Sequence, residues 1–412
     1  MPVYGLLGRK LGHSWSAVIH KALGCEEYKL IELESDELSP FFEKNDIGAV
    51  NVTIPYKKDV IPLCDHIDDS ALSIGSVNTV VRKKDGRLYG YNTDIVGFRH
   101  MAFSAGIALK GKKVLVLGSG GSSLTACAAA RAEGAAEVTV ISRTGENNYG
   151  NLALHSDADV IVNTTPVGMF PGNGEAPLDL ELFPKLSGVI DLIYNPRRTA
   201  LLLQAEKLGI SCTDGLPMLV SQAVRAEELF FDREISVSET DRIISALRQS
   251  MTNLVLIGMP GCGKSTVGKL LSEMSNREVL DIDSLIEKRE SRTIPDIFNE
   301  NGEAYFRRLE HEEIEKAGKL SGKIIVTGGG AVTREENYAP LHQNAVIYQL
   351  FRPLELLPVS GRPISQSTPI GELYARREPM YRRFRDKLIN NTASPEETAK
   401  EIWRDFCEHS CY

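Results

Sequence analysis

Short apolar runs alternate with helical patterns along most of the chain, and this alternation predicts an α/β architecture. Two of the runs lead straight into a glycine loop. The first is Lys113–Leu117 (KVLVL), with a loop at Gly118–Ser123 and then a helix of small residues, about 12 long. The second is Asn253–Ile257 (NLVLI), with a loop at Gly258–Ser265 and then a helix over Thr266–Ser275. Between Phe231 and Thr252 the chain is more polar. One amphipathic helix is predicted there, at about Ser238–Gln249, with Ser238 and Asp241 at capping-box spacing and a linker at about Ser250–Asn253. The main boundary then separates residues 1–249 from 250–412. Within the first part, residues 97–215 carry the first glycine loop between two flanking pieces, 1–96 and 216–249. A nucleotide-type unit inserted in this way leaves a cleft at the junction, where ligands tend to bind.

The 412-residue length agrees with more than one core, at about 150 residues per domain. Apolar residues make up 42% and charged residues 25%, as in soluble globular proteins. No apolar run approaches the roughly 18 residues of a membrane span. The start, MPVYGLLGRKLGHSWS, has no basic opening and no small-residue cleavage site, so it does not read as a signal peptide. Seven scattered cysteines without a C-x-x-C predict a reduced, cytoplasmic protein with no structural zinc. A net charge of −8 argues against nucleic-acid coating. Anionic ligands must then be held by local cations, helix N-termini or backbone N–H groups. A monomer and a homodimer are both compatible with the sequence.

The first loop reads G-x-G-x-x-S, with Gly118, Ser119, Gly120, Gly121 and Ser122 at the start of the helix. A second strand at Val138–Ile141 completes a Rossmann-type unit, and the helix N-terminus can bind a pyrophosphate. That strand ends in Ser142-Arg143-Thr144, where an NAD site would place an acid for the ribose. An arginine with two hydroxyls suits a 2′-phosphate, so NADP(H) is the expected cofactor. The next segment, Gly145–Asp157, is short for a full crossover helix. Asn163-Thr-Thr-Pro166, after a third strand, is expected against the cofactor.

Several separate motifs in the first part resemble the shikimate dehydrogenase family. They are His13-Ser-Trp-Ser-Ala-Val-Ile-His20, Asn51-Val-Thr-Ile-Pro-Tyr-Lys57, Val77-Asn78-Thr79, Asn92-Thr93-Asp94, and Asp214-Gly215-Leu216-Pro217-Met218 with Gln222. Ala17 stands where the family has proline. The resemblance implies reduction of a ring ketone, 3-dehydroshikimate, to shikimate, with Lys57 and Asp94 at the reacting oxygen. A lysine can donate that proton when a carboxylate tunes it. It further implies Ser14, Ser16 and Tyr194 at the substrate carboxylate, and Thr53, Asn78, Asp94 and Gln222 at the ring hydroxyls. Gly215 is expected at the cofactor. His13 and His20 are read as structural.

Gly258-Met-Pro-Gly-Cys-Gly-Lys264-Ser265 is a complete G-x-x-x-x-G-K-S phosphate loop. Such a loop cradles ATP phosphates with backbone N–H groups (here Gly261, Cys262, Gly263 and Thr266), while Lys264 reaches the β/γ oxygens and Ser265 ligates Mg²⁺. Cys262 reads as a space-filler. Further motifs resemble the shikimate kinase family: Asp281-Ile-Asp283, Phe306-Arg307-Arg308-Leu-Glu310, Gly328-Gly329-Gly330, Gly361-Arg362-Pro363 and Arg377-Glu-Pro-Met-Tyr381. This implies a P-loop α/β domain with a parallel sheet that phosphorylates shikimate. Arg307 and Arg377 would fork the substrate carboxylate. Asp283 would orient or deprotonate the attacking hydroxyl, and Asp281 would help hold Mg²⁺. Arg362, on a lid over roughly Arg352–Pro369, would neutralise the transferring phosphoryl group. The lid is shorter than in some family members and lacks a matched adenine-stacking arginine. Arg308 is free to pair with Glu312, one turn on.

Two other readings remain open at this point. One is a sensor that binds shikimate or quinate without turnover. The other is an NAD-dependent quinate dehydrogenase joined to a different small-molecule kinase.

Overall fold

The computed structural model describes residues 2–12, 14–44, 46–357 and 369–409. Arg362, its neighbours Gly361 and Pro363, and His13 lie outside the described residues. The chain forms two compact units. One comprises Met1–Val167, Ala176–Tyr194 and Gln204–Ile244; the other comprises Gly168–Glu175, Asn195–Leu203 and Ser245–Tyr412.

The first unit holds two sheets. A mixed six-stranded sheet is built from β1 (Val3–Gly8), β2 (Tyr28–Glu32), β3 (Ile47–Val52), β4 (His66–Ile67), β5 (Thr79–Arg82) and β6 (Leu88–Tyr91), in the order β2-β1-β3-β5-β6-β4. β1 runs parallel to β2 and β3, while β3, β5 and β6 are antiparallel. The second sheet has β7 (Lys113–Leu117), β8 (Glu137–Ile141), β9 (Val160–Asn163), β10 (Gly188–Asp191) and β11 (Ser211–Thr213). Its order is β11-β10-β9-β7-β8 and all its pairs are parallel. β7 is apolar from Val114 to Leu117 and buried there, as a strand covered on both faces must be. The sheet switches direction at β7, and the carboxyl ends of strands at such a point form a ligand crevice.

Two helices of this unit position the site. Asp94–Ser104 packs across Leu216–Phe231. Gly97 makes the crossing close, since a Cβ there would lie 2.5 Å from the Met218 carbonyl oxygen. The expected short crossover after β8 is found: its only helical turn is 3₁₀, Leu152–His155, preceded by a turn in which Ser142 Oγ accepts the Gly145 N–H.

The second unit carries a parallel sheet of β12 (Asn253–Ile257), β13 (Val279–Asp281), β14 (Ile324–Val326), β15 (Ala345–Phe351) and β16 (Lys387–Asn390). The order is β13-β14-β12-β15-β16. All five β12 residues are buried. The chain moves to one side of β12 through β13 and β14, then crosses to the other through β15. The crevice between β12 and β15 is therefore the switch point of this sheet.

The helix before β12 departs from expectation at both ends. It spans Val237–Met251, and Ser236 Oγ, not Ser238, accepts the capping bond from the Glu239 N–H. Ser238 Oγ instead bonds Ser236 Oγ. The helical bonding continues to Thr252, whose N–H reaches the Arg248 carbonyl, so the expected linker shrinks to one buried residue before β12.

Leu254, fully buried in β12, tests the central packing. Leu254→Ala is expected to cost about 2–5 kcal/mol through lost burial and an unfilled cavity. A urea transition at the wild-type midpoint contradicts this.

Candidate active sites

Lys57 lies in the turn after β3. Tyr56, fully buried, anchors that turn by donating its hydroxyl to the Leu33 carbonyl at 2.6 Å. The Lys57 carbonyl accepts the Val77 N–H at 2.8 Å. Asp94 opens the helix Asp94–Ser104, where the helix dipole favours a carboxylate. The two side chains meet at 2.5 Å, Nζ to Oδ2, with 23% and 14% of their side-chain surfaces exposed. A pair this deep is screened far less than a surface one, and one charge holds the other in place.

A cavity of about 290 Å³ surrounds the pair. Ser14, Ser16, Thr53, Lys57, Asn78, Asp94, Tyr194 and Gln222 all line it. Ser122 and Gly215, from the nucleotide-type part, line it too. Burial pushes the Tyr194 phenol above its usual range, keeping it a neutral donor. Asn78 is held from within: its Oδ1 accepts the Thr93 N–H at 2.7 Å. A chain of bonds then runs Tyr28–Asn51–Thr79 behind the wall. Asn51, Leu192, Met218 and Leu219 also face the cavity but were not among the predicted contacts. Asn51 and Met218 stood inside the quoted motifs, and their positions in N-V-T and D-G-x-x-M were the available signal.

Gly118 turns the chain out of β7 at φ +105°, and a Cβ there would strike Thr164 Oγ1 at 2.8 Å. Around Gly120 and Gly121 a Cβ would meet nothing within 4 Å, so the helix N-terminus is approachable. Ser119, Ser122, Arg143 and Thr144 are exposed and Ser142 half-buried. These residues fit a dinucleotide carrying an extra phosphate. Asn163 does not offer its side chain to such a ligand. It is fully buried, donating to Asp191 Oδ1 at 3.0 Å and accepting from the Thr165 N–H and hydroxyl. His20 is structural, as read: it is buried, paired with Glu227 at 2.7 Å and stacked on Tyr28.

In the second unit a cavity of about 550 Å³ opens at the phosphate loop. Gly258, Gly261 and Gly263 all adopt positive φ. Lys264 bends back to bond the Gly258 and Met259 carbonyls at 2.9 and 3.1 Å. Cys262 is fully buried beneath the loop, consistent with packing. Ser265 Oγ donates to Asp281 Oδ2 at 2.8 Å. Among the described residues no group of three or more His, Cys, Asp or Glu could hold a metal. This adjacent hydroxyl and carboxylate nevertheless fit Mg²⁺, which needs few protein ligands beside phosphates and water.

The same cavity is also lined by Asp283, Arg307, Glu310, Gly328, Gly329, Gly330 and Arg377. Arg307 donates to Glu310 Oε2 at 2.7 Å and to Glu303 at 3.2 Å. Its guanidinium fills the space where Gly330 would otherwise carry a Cβ, 2.2 Å away. Arg377 is 2% exposed, which excludes a merely solvated basic helix, and it donates to the Gly329 carbonyl. Tyr381, one turn on, donates to the same oxygen at 2.5 Å. Glu310, present in F-R-x-x-E but given no role there, is the buried counter-charge that holds Arg307. Arg308 lies 3.9 Å from Glu312 on an exposed face, the surface pair anticipated.

Asp283 Oδ1 and Glu310 Oε1 are buried without hydrogen-bond partners among the described residues, and both face Gly328. Burial, with Glu310 and Asp281 nearby, pushes the Asp283 carboxyl up to about 7, against the opposing pull of Lys264 and Arg307. Near neutral pH it can therefore both accept and release a proton.

The folds define the class: a part of the Rossmann-like, dinucleotide-binding type followed by a parallel-sheet domain of the kinase type. Comparison with known proteins is specific. The family model "Shikimate dehydrogenase substrate binding domain" matches residues 6–80, and "Shikimate kinase" matches 260–407. The shikimate dehydrogenase (NADP(+)) of Caldicellulosiruptor bescii is 38% identical over 257 residues, covering 55% of this chain and 88% of the relative. A chorismate mutase/shikimate 5-dehydrogenase fusion protein from Clostridium acetobutylicum is 36% identical, with a TM-score of 0.58 over 60% of this chain and 98% of that one. The Thermus thermophilus shikimate 5-dehydrogenase, solved with NADP(H) and shikimate, is 32% identical, with a TM-score of 0.53 over 58% and 97%. The chain belongs to the shikimate dehydrogenase family through its N-terminal part, and to that part is fused a C-terminal domain of the shikimate kinase family. No helix is long and apolar enough to cross a membrane among the described residues.

The raised Asp283 carboxyl yields a stability prediction. The folded state holds this proton more tightly than the unfolded chain does. Asp283 therefore costs nothing below about pH 4, and its cost grows until about pH 7. Asp283→Asn is expected to raise the urea midpoint at pH 8 and leave it unchanged at pH 4. An equal effect at both pH values contradicts the assignment.

Proposed function

We propose that the two parts act in sequence on one small hydroxylated acid: NADPH-dependent reduction of 3-dehydroshikimate to shikimate, then ATP-dependent phosphorylation of its 3-hydroxyl. One observation carries this reading. The Lys57–Asp94 pair and the Asp283–Arg307–Arg377 group each converge on a cavity of ligand size.

In the first site NADPH, when bound, supplies the hydride for the ring carbonyl. Lys57 Nζ holds the proton that the emerging alkoxide takes, and Asp94 keeps that amine aimed. Ser14, Ser16 and Tyr194 give neutral donors to the substrate carboxylate. Thr53, Asn78, Asp94 and Gln222 bind ring hydroxyls. Gly118–Ser122 hold the pyrophosphate, Ser142, Arg143 and Thr144 the 2′-phosphate, and Gly215 borders the nicotinamide.

In the second site Arg307 and Arg377 clamp the shikimate carboxylate, and Gly328–Gly330 let the ring approach the backbone. Asp283 Oδ1 accepts the proton of the attacking hydroxyl. Gly261–Gly263 and Thr266 cradle the ATP phosphates and Lys264 reaches the terminal ones. Ser265 and Asp281 would hold Mg²⁺, which supplies charge neutralisation for the phosphates when bound. Arg362 is assigned to the transferring phosphoryl group from its motif alone.

Lys57→Ala should lower dehydrogenation by about 10²–10⁴-fold and leave phosphorylation intact, and Lys264→Ala should do the reverse. Loss of both activities in either variant contradicts the division. Arg143→Asp should weaken NADPH far more than NADH in a cofactor titration, and equal loss refutes the 2′-phosphate role. A substrate panel with quinate and NAD, on the intact chain, tests the choice of substrate.

A further inference from the structure

Arg352 belongs to none of the motifs above, yet it lines the same cavity as Gly261, Gly263, Lys264 and Ser265. Its place follows from the sheet. β12 and β15 run parallel with Ile257 opposite Gln349, so the phosphate loop leaves β12 beside the end of β15. The start of the loop is packed on that end, since a Cβ on Gly258 would lie 2.5 Å from the Leu350 carbonyl oxygen. Arg352 stands one residue past Phe351, the last of β15, at the mouth of the switch-point crevice.

The charge accounting around this cavity singles Arg352 out. Arg307 is paired with Glu310 and Glu303, and Lys264 is held by two loop carbonyls. Arg377 is bonded to Gly329 at the acid-binding end. Arg352 is half-buried, and among the described residues it makes no ion pair and its buried Nε has no hydrogen-bond acceptor. An arginine held this way costs desolvation unless an anion meets it. The carboxylate end already has two arginines, whereas among the described residues the loop itself brings one cation, Lys264, to the cavity. A guanidinium is suited to phosphate oxygens because it donates two parallel bonds.

We infer that Arg352 is a phosphate-binding residue of the kinase-family domain, donating to the triphosphate of the bound nucleotide beside Lys264. This rests on reading the loop as an ATP site.

The test is calorimetric titration of the full chain with the non-hydrolysable β,γ-imido analogue of ATP, and separately with shikimate. Arg352→Gln is expected to weaken the analogue at least tenfold and leave shikimate within twofold. Arg352→Lys should recover part of the loss. Unchanged analogue affinity in Arg352→Gln, with a wild type that binds it, overturns the assignment alone. A fall in shikimate affinity, by itself or alongside the analogue, also overturns it, because the residue then serves the acid site or the cavity as a whole. A wild type that binds no analogue overturns the ATP-site reading and this inference together.

Discussion

A charge placed at the depth of Lys57 or Asp94 is costly unless another charge meets it, and this constraint shapes both sites. Lys57 comes from a turn after a strand and Asp94 from the first residue of a helix. They are brought together because Tyr56 pins the turn while Asn78 pins the residue before the helix. Once paired, neither side chain can leave without exposing the other as an unmatched buried charge. The pair is thus held in one geometry, the kind of pre-organisation that acid–base chemistry needs.

The kinase-family domain solves the same problem asymmetrically. Glu310 neutralises Arg307, and the Gly329 carbonyl takes bonds from Arg377 and Tyr381. Asp283 receives no such partner for its Oδ1. Its proton affinity rises towards neutrality because burial penalises the charged form. The two arginines are thus fixed by their bonds, while the Asp283 carboxyl stays responsive to a proton near neutrality. At Gly328 the Asp283 and Glu310 carboxylates, and at Gly330 the Arg307 guanidinium, occupy the space a side chain would need.

Much of this was legible in the sequence. β7 and β12 announced themselves as unbroken apolar runs before glycine loops, since strands buried on both faces have no polar side to show. Part of the first cavity's lining was legible, because residues such as Lys57, Asn78 and Asp94 sit in short motifs whose spacing a turn or helix start fixes, whereas Leu192 and Leu219 carried no such signal. Other features depended on contacts far along the chain. Asn163 sits where a cofactor residue would, but Asp191 captures its amide from a neighbouring strand. Ser236 and Ser238 are equally good caps on paper, and the hydrogen bonds of the folded turn choose Ser236. Thr252 looked like a linker from its polarity, but it is buried and bonds back to Arg248. Arg352 carried no signal, because only the pairing of β15 with β12 reveals that it faces the phosphate loop.

The central claim is that both sites grip the same acid in succession. Phosphorus NMR on the intact chain, supplied with 3-dehydroshikimate, NADPH, ATP and Mg²⁺, follows it directly. The account predicts a new phosphate-monoester signal that requires NADPH as well as ATP, with shikimate replacing the need for NADPH. Oxidation of NADPH with no phosphate monoester formed, from either starting acid, would contradict it.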